Sequence, residues 1–126
     1  MRKIKRIILA FAVTLIMSSV ISTSVSAYTI SQTGIGSFEW YLYNDKITNI
    51  SNSQRRVEVF INVYEDNTGA FVQGLSSTNT GAYGASASKS HSYSPTQYNF
   101  KYWGRVYNST AYQSGTAWYT GDKYLT

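Results

Sequence analysis

The segment VEVFINVY at residues 57–64 alternates strictly, with aliphatic side chains at every odd position and polar or aromatic side chains at every even one. In a β-strand successive side chains point to opposite faces, so this period of two predicts a strand with one aliphatic face. Val57, Val59, Ile61 and Val63 are β-branched, and such residues pack well on a half-buried sheet. The pattern therefore predicts a strand whose odd-numbered side chains lie in a protein core.

The rest of the chain repeats this pattern in short segments separated by turn residues. Phe38, Trp40 and Leu42 alternate with other side chains, and clusters of Asn, Asp, Gly and Ser follow at intervals of strand length. No window combines helical spacing with a cap and a stop signal. The spacing predicts an all-β chain that forms a small antiparallel β-sandwich or barrel-like fold of about six to eight strands. The predicted strands lie near residues 28–33, 37–44, 57–65, 70–77, 82–93, 97–107, 110–114 and 116–120.

The segment at residues 82–93 is the least apolar of these strands, because small Ala and Ser side chains dominate it. We expect it to lie at the edge of a sheet or close against another backbone. A membrane-inserting hairpin is the alternative, since small polar and apolar residues alternate there. Lys89 and His91 and the weak hydrophobicity favour the edge strand.

The first 27 residues have the pattern of an export signal. Basic residues within residues 1–6 precede an apolar run at residues 7–17, and the stretch ends on Val25-Ser26-Ala27. This order predicts a secretory signal peptide that engages the Sec export machinery and is cleaved after Ala27. An uncleaved membrane anchor is the alternative, and the Ser and Thr residues at 18–24 weigh against it. We therefore expect residues 28–126 to form a single secreted all-β domain of bacterial origin.

Charge argues against a nucleic-acid partner, and cysteine content excludes disulfides and thiolate metal sites. Four of the 11 basic side chains and none of the six acidic ones lie in residues 1–27, so the formal charge falls from +5 to +1 without that segment. The remaining Lys and Arg are spread thinly, and phosphate recognition needs clustered positive charge, so we expect no nucleic-acid partner. The chain has no Cys, which excludes disulfides and thiolate metal sites.

Groups that could perform catalysis are few. His91 is the only His, and no nucleophile-elbow motif occurs among the Ser residues around it, so we expect a solvated side chain rather than a base. Glu39 and Glu58 could approach as a glycosidase pair if their strands were neighbours, although outward-facing surface carboxylates are the simpler interpretation. The turn at residues 65–67 lacks the spaced ligands of a calcium loop. We predict no enzyme activity, no cofactor and no metal.

Aromatic residues are the unusual feature of residues 28–126, which hold all 12 Tyr, all three Trp and four of the five Phe. Rings pack in interfaces, and Tyr hydroxyls form hydrogen bonds at little entropic cost. For any single Tyr, core packing or cross-strand pairing is the simpler role. Four of the candidates would share one face if their strands pair, namely Tyr41, Tyr43, Phe60 and Tyr64. The full candidate binding surface comprises Tyr41, Tyr43, Phe60, Tyr64, Tyr102, Trp103, Tyr107, Tyr112, Trp118 and Tyr119.

These features favour a small secreted binding or interaction protein of the bacterial cell envelope or extracellular space. Its partner would be cell-wall glycan, another polysaccharide or an envelope protein, engaged through an aromatic-rich β-surface. The alternative is a bacteriocin-like antagonist or small toxin that acts on a competitor's envelope. In broad plan, and in the Trp, Tyr, Gly and Ser content of its last third, the chain resembles small exported lactococcin-type bacteriocins, which are compact Cys-free β-domains. It shares no defined motif with them.

Overall fold

The computed structural model describes residues 27–125, so the predicted signal peptide lies outside the described residues except for Ala27. Eight strands form two four-stranded antiparallel sheets, which confirms the all-β prediction. Within residues 27–125, no helix is long and apolar enough to cross a membrane. The strands are β1 (Tyr28–Gln32), β2 (Gly36–Tyr41), β3 (Asn44–Asn49), β4 (Arg55–Glu65), β5 (Phe71–Gly81), β6 (Ser86–Ser90), β7 (Tyr98–Tyr107) and β8 (Thr116–Tyr119).

The two sheets share one core. The strand order is β1-β2-β3-β6 in the first sheet and β5-β4-β7-β8 in the second. The odd-numbered aliphatic residues of β4 are fully buried, as the alternation at residues 57–64 predicts. They pack in one cluster with Phe38 and Ile47 of the first sheet and with Tyr102 and Val106 of β7. All eight strands lie within residues 28–119, and Leu125 packs against the core from beyond β8.

The structure differs from the predicted strands at two places. Residues 110–114 form no strand and belong to the loop between β7 and β8. Conversely, β3 is not among the predicted strands, because Asn44 and Asp45 are typical turn residues. The chain instead reverses at Leu42 and Tyr43, and Tyr41 pairs with Asn44 at the start of β3. The segment at residues 82–93 contains the shorter strand β6, which lies at the edge of its sheet as expected.

Two polar side chains of β3 lie in the core and differ in how they are satisfied. Asn49 donates from Nδ2 to the carbonyls of Ser53 and Gly81, both at 2.9 Å, and its Oδ1 accepts from the amide and hydroxyl of Ser51. Asp45 is fully buried, and both of its carboxyl oxygens lack a hydrogen-bond partner among the described residues. Burial raises the pKa of Asp45 to about 8. Asn49 is therefore fully satisfied in the core, whereas ionisation of Asp45 would be costly.

Gly36 lies in close contact with the second sheet, and replacing it with Ala is expected to destabilise the fold. A Cβ there would lie 2.8 Å from Cγ2 of Val106 and 2.9 Å from Cε3 of Trp118. Overpacking of this kind costs about 1–3 kcal/mol. Urea unfolding followed by Trp fluorescence measures the change, with Ser37→Ala on the opposite face of β2 as control. Equal midpoints for the two variants would contradict the prediction.

Candidate functional site

The outer face of the second sheet carries a group of aromatic side chains that are partly or largely exposed, except for Tyr107, which is only 8% exposed. Even-numbered residues of β4 and odd-numbered residues of β7 point away from the core, because their neighbours along each strand are buried. Within residues 27–125, neither of the two sheets nor any helix forms a layer over this face. We call it the aromatic face and define it by Phe60, Tyr64, Trp103, Tyr107, Tyr112 and Tyr119.

Phe60 and Trp103 form the centre of the aromatic face. They are direct cross-strand partners on β4 and β7, and their rings stack with centroids 4.9 Å apart and planes 12° apart. Both are half-buried, so each ring keeps part of its surface open to solvent. Lys101 Nζ lies 5.1 Å from the centroid of the Trp103 ring. The centre is therefore a firmly held aromatic pair with one cation at its border.

A second group fixes the end of the face nearest the loop between β7 and β8. The Arg56 guanidinium carbon lies 3.6 Å from the Tyr107 ring centroid and 4.9 Å from that of Tyr112. Arg56 Nη2 also donates to the Tyr112 carbonyl at 2.6 Å. Glu58 Oε1 accepts a 2.7 Å hydrogen bond from the Tyr107 hydroxyl and pairs with Arg56 Nη1 at 3.4 Å. Burial and the hydrogen bond to Glu58 raise the pKa of Tyr107, so its hydroxyl remains a donor.

Strand β8 and the residues after it border the face on the other side. The Arg105 guanidinium carbon lies 5.3 Å from the ring centroid of Tyr119, its cross-strand partner. The Tyr119 hydroxyl donates to Asp122, and this hydrogen bond, with a smaller contribution from burial, raises the pKa of Tyr119 to about 12. Asp122 also forms an ion pair with Lys101 at 3.7 Å. Positive and negative groups thus alternate along this border.

The far end of the face combines rings with small polar groups. Tyr64 meets Phe71 edge-on with centroids 5.8 Å apart, and its hydroxyl accepts a 3.2 Å hydrogen bond from Asn62 Nδ2. Ser76 of β5 lies beside Phe60 in the register and is exposed. The aromatic face therefore presents rings interspersed with hydroxyl and amide groups, which suits a ligand that has both apolar faces and hydroxyls.

The structure brings together six of the ten candidate residues and separates the other four from them. Tyr102 is fully buried, and its hydroxyl donates to the Leu42 carbonyl at 2.8 Å, so it is a core residue. Trp118 packs against the core beside Val106. Tyr41 lies on the outer face of the first sheet, and Tyr43 lies in the turn that follows.

The expected common surface of Tyr41 and Tyr43 with Phe60 and Tyr64 is therefore wrong. Strands β2 and β4 belong to different sheets and point their outer faces in opposite directions. The same separation places Glu39 and Glu58 on opposite outer faces, so they do not form a carboxylate pair. Arg56, Lys101 and Arg105 also belong to the site, although they are not among the residues predicted from the sequence. Alternation along the strand shows which residues share a face with them. It does not show which of the two faces the other sheet covers.

His91 is fixed in place rather than solvated, contrary to the expectation. Its Nε2 lies 2.9 Å from the Leu42 carbonyl, and its Nδ1 accepts from the Tyr93 amide at 3.1 Å. These two contacts require a neutral ring that donates from Nε2. The ring lies 4.1 Å from that of Phe100, and burial lowers the pKa of His91. It serves the structure at the end of the core.

Residues 27–125 contain no cluster of three or more His, Asp or Glu side chains that could hold a metal ion. The chain was compared with protein-family models, curated proteins and solved structures, and none of the three comparisons finds a match.

Proposed function

We propose that this chain is a small secreted binding protein of the bacterial envelope or extracellular space and that its aromatic face engages glycan. The observation that carries the proposal is the stacked Phe60 and Trp103 pair at the centre of a sheet face that no second layer covers. Sugar rings have apolar C–H faces that lie against aromatic rings, and their hydroxyls need donors and acceptors nearby. The aromatic face supplies both kinds of contact.

Preorganisation supports this proposal. Arg56 is only 8% exposed and holds Tyr107 and Tyr112 by cation–π contacts, while Asp122 orients Tyr119. Rings already fixed in the free protein lose little entropy on binding, so more of the contact energy remains as affinity. The charges of the face are mixed, with Arg56, Lys101 and Arg105 near Glu58 and Asp122. Binding should therefore depend little on salt concentration.

The direct test is retention of residues 28–126 on purified peptidoglycan and on insoluble polysaccharides, measured in low and high salt. We expect retention on at least one glycan, with less than a twofold change between about 50 mM and 500 mM salt. Absence of retention on every glycan would overturn the glycan proposal. Binding lost at high salt would instead indicate a charged ligand.

Replacing Trp103 with Ala is expected to weaken retention about tenfold or more, because central aromatic anchors dominate such surfaces. Trp103→Phe should restore part of the affinity, since it keeps a ring beside Phe60. Tyr41→Ala is the matched control, because Tyr41 is a half-buried ring on the outer face of the other sheet. Equal losses for Trp103→Ala and Tyr41→Ala would contradict the assignment of the face.

The same preparations test an antagonist role. Growth inhibition of related bacteria by purified residues 28–126, without glycan retention, would favour the bacteriocin-like alternative. In residues 82–93, β6 pairs with β3 and buries Ala87 in the core, and these contacts would have to break before this segment could insert into a membrane. If the aromatic face instead captures an envelope protein, the binding site stays as proposed and the ligand is a protein rather than a glycan.

A further inference from the structure

The two sheets have four edge strands, and one of them differs from the others. β1, β6 and β8 are five, five and four residues long, whereas β5 has 11 residues. Natural proteins protect long edges with charges, Pro or bulges because unpaired backbone groups recruit another strand. No Lys, Arg, Asp, Glu or Pro occurs between Asp66 and Lys89. The ladder between β4 and β5 has one bulge, at Val63 and Tyr64, near the start of β5.

The hydrogen-bond alternation identifies which backbone groups of β5 are free. The Glu65 amide donates to the Ala70 carbonyl, whereas the Asp66 amide donates to the Gln97 carbonyl. Odd-numbered residues of β4 therefore bond to β5, and even-numbered ones bond to β7. Through the observed register, the backbone groups of residues 73, 75, 77 and 79 point to β4. Those of residues 74, 76, 78 and 80 point away from the sheet, and the bulge interrupts this alternation at Val72.

The ends of β5 add exposed apolar surface to this free edge. Phe71 is 59% exposed and Val72 is 40% exposed at the start of the strand, and Tyr83 is 69% exposed just beyond its end. Antiparallel pairing of β5 with itself would place the start of one strand beside the end of the other. Phe71 and Val72 of one copy would then lie near Tyr83 of the second.

We propose that β5 pairs antiparallel with β5 of a second copy, about a two-fold axis at Ser76. Centring on Ser76 matches outward-pointing residues with each other, since 74 faces 78 and 76 faces itself. This register forms about six backbone hydrogen bonds between the copies. A second copy fits this edge because an uncharged strand pairs with itself without opposing like charges. The free β5 edges of the two copies thus pair with each other in a symmetric dimer.

The dimer would join the two second sheets into one continuous eight-stranded sheet. Both aromatic faces would then lie on the same side, because a two-fold axis perpendicular to a sheet preserves its faces. A long glycan could contact both copies, and its apparent affinity would exceed that of one face. The dimer proposal itself does not rest on glycan binding and is tested by mass.

Sedimentation equilibrium of residues 28–126 at micromolar concentrations tests this proposal, and we expect the mass of two chains. Ser76→Pro removes the central outward-pointing amide without touching the ladder to β4, and edge strands tolerate Pro. Ser76→Lys places two positive charges against each other at the axis and leaves the backbone intact. Both variants should have the mass of one chain and an unchanged far-UV circular dichroism spectrum.

Ser31→Pro is the matched control, because Ser31 is an exposed residue of β1, the edge of the other sheet. It should remain dimeric. A wild-type chain that is monomeric at tens of micromolar would overturn the proposal, and recruitment of a strand from another protein would then explain the edge. A dimer that persists in both Ser76 variants, or that dissociates in Ser31→Pro, would place the interface elsewhere.

Discussion

Replacing Asp45 with Asn is expected to make the protein more stable than the wild type at mildly alkaline pH. At pH 8.5 the free energy of unfolding should rise by about 3–5 kcal/mol, while at pH 4 the two proteins should agree within about 1 kcal/mol. The reason is that Asp45 is fully buried with neither carboxyl oxygen paired, so ionising it in the core is costly. Asn has nearly the same shape and never ionises.

The sign follows from proton binding. Burial raises the pKa of Asp45 from 3.8 to about 8, so between these values the folded protein binds a proton that the unfolded chain has released. The stabilising contribution is therefore complete below about pH 4 and is lost as the pH rises towards 8. His91 acts in the opposite direction, because burial lowers its pKa and protonation below about pH 6.5 favours the unfolded chain. The fall in stability should be steepest between about pH 6.5 and 8.

Urea unfolding at pH 4, 6.5 and 8.5 measures this effect in the wild type and in Asp45→Asn. Asp66→Asn is the control, because it removes an exposed carboxylate from a turn and leaves Asp45 in place. Its pH profile should follow that of the wild type. Parallel profiles for Asp45→Asn and the wild type would mean that the carboxyl finds a partner in solution. Lys89 is the nearest candidate in the register, since it lies directly across from Asp45 on β6.

Tyr102→Ala is expected to destabilise the fold by about 3–5 kcal/mol, the cost of removing a large buried side chain. Tyr102→Phe should cost only about 0.5–1.5 kcal/mol, because it keeps the ring and loses one hydrogen bond. The Leu42 carbonyl that accepts the Tyr102 hydroxyl also accepts from His91, so it stays satisfied in the Phe variant. Burial raises the pKa of Tyr102 and keeps this hydroxyl a donor.

Thermal and urea unfolding of both variants measure the two costs. Tyr43→Ala is the control, because Tyr43 is a partly exposed ring in the adjacent turn. It should change stability by less than about 1 kcal/mol. A Tyr102→Ala variant as stable as Tyr43→Ala would contradict the position of Tyr102 in the core and return it to the surface candidates.

Tyr102 and Trp103 show which part of the candidate site can be predicted from the sequence. Their adjacency on a strand requires that one ring points inward and the other outward. Nothing in either side chain decides which, because both are large, apolar and able to form a hydrogen bond. The decision comes from the register, which places Tyr102 beside Ile61 on the buried side and Trp103 beside Phe60 on the outer side. Sequence reasoning could therefore identify the aromatic candidates without dividing them into core and surface.

The all-β class follows from sequence alone, because the period of two at residues 57–64 can bury its aliphatic face only as a strand and turn residues recur at strand-length intervals along the rest of the chain. The small side chains of residues 82–93 likewise predicted an edge position, because they offer little to bury. The separation of β2 and β4 into different sheets, which places Tyr41 and Phe60 on opposite surfaces, emerges from the strand pairing of the folded chain. The tertiary structure also placed Asp45 in the core and left β5 at an open edge. Side-chain alternation is a local property of the backbone, whereas exposure depends on which distant strands pair and pack against each face.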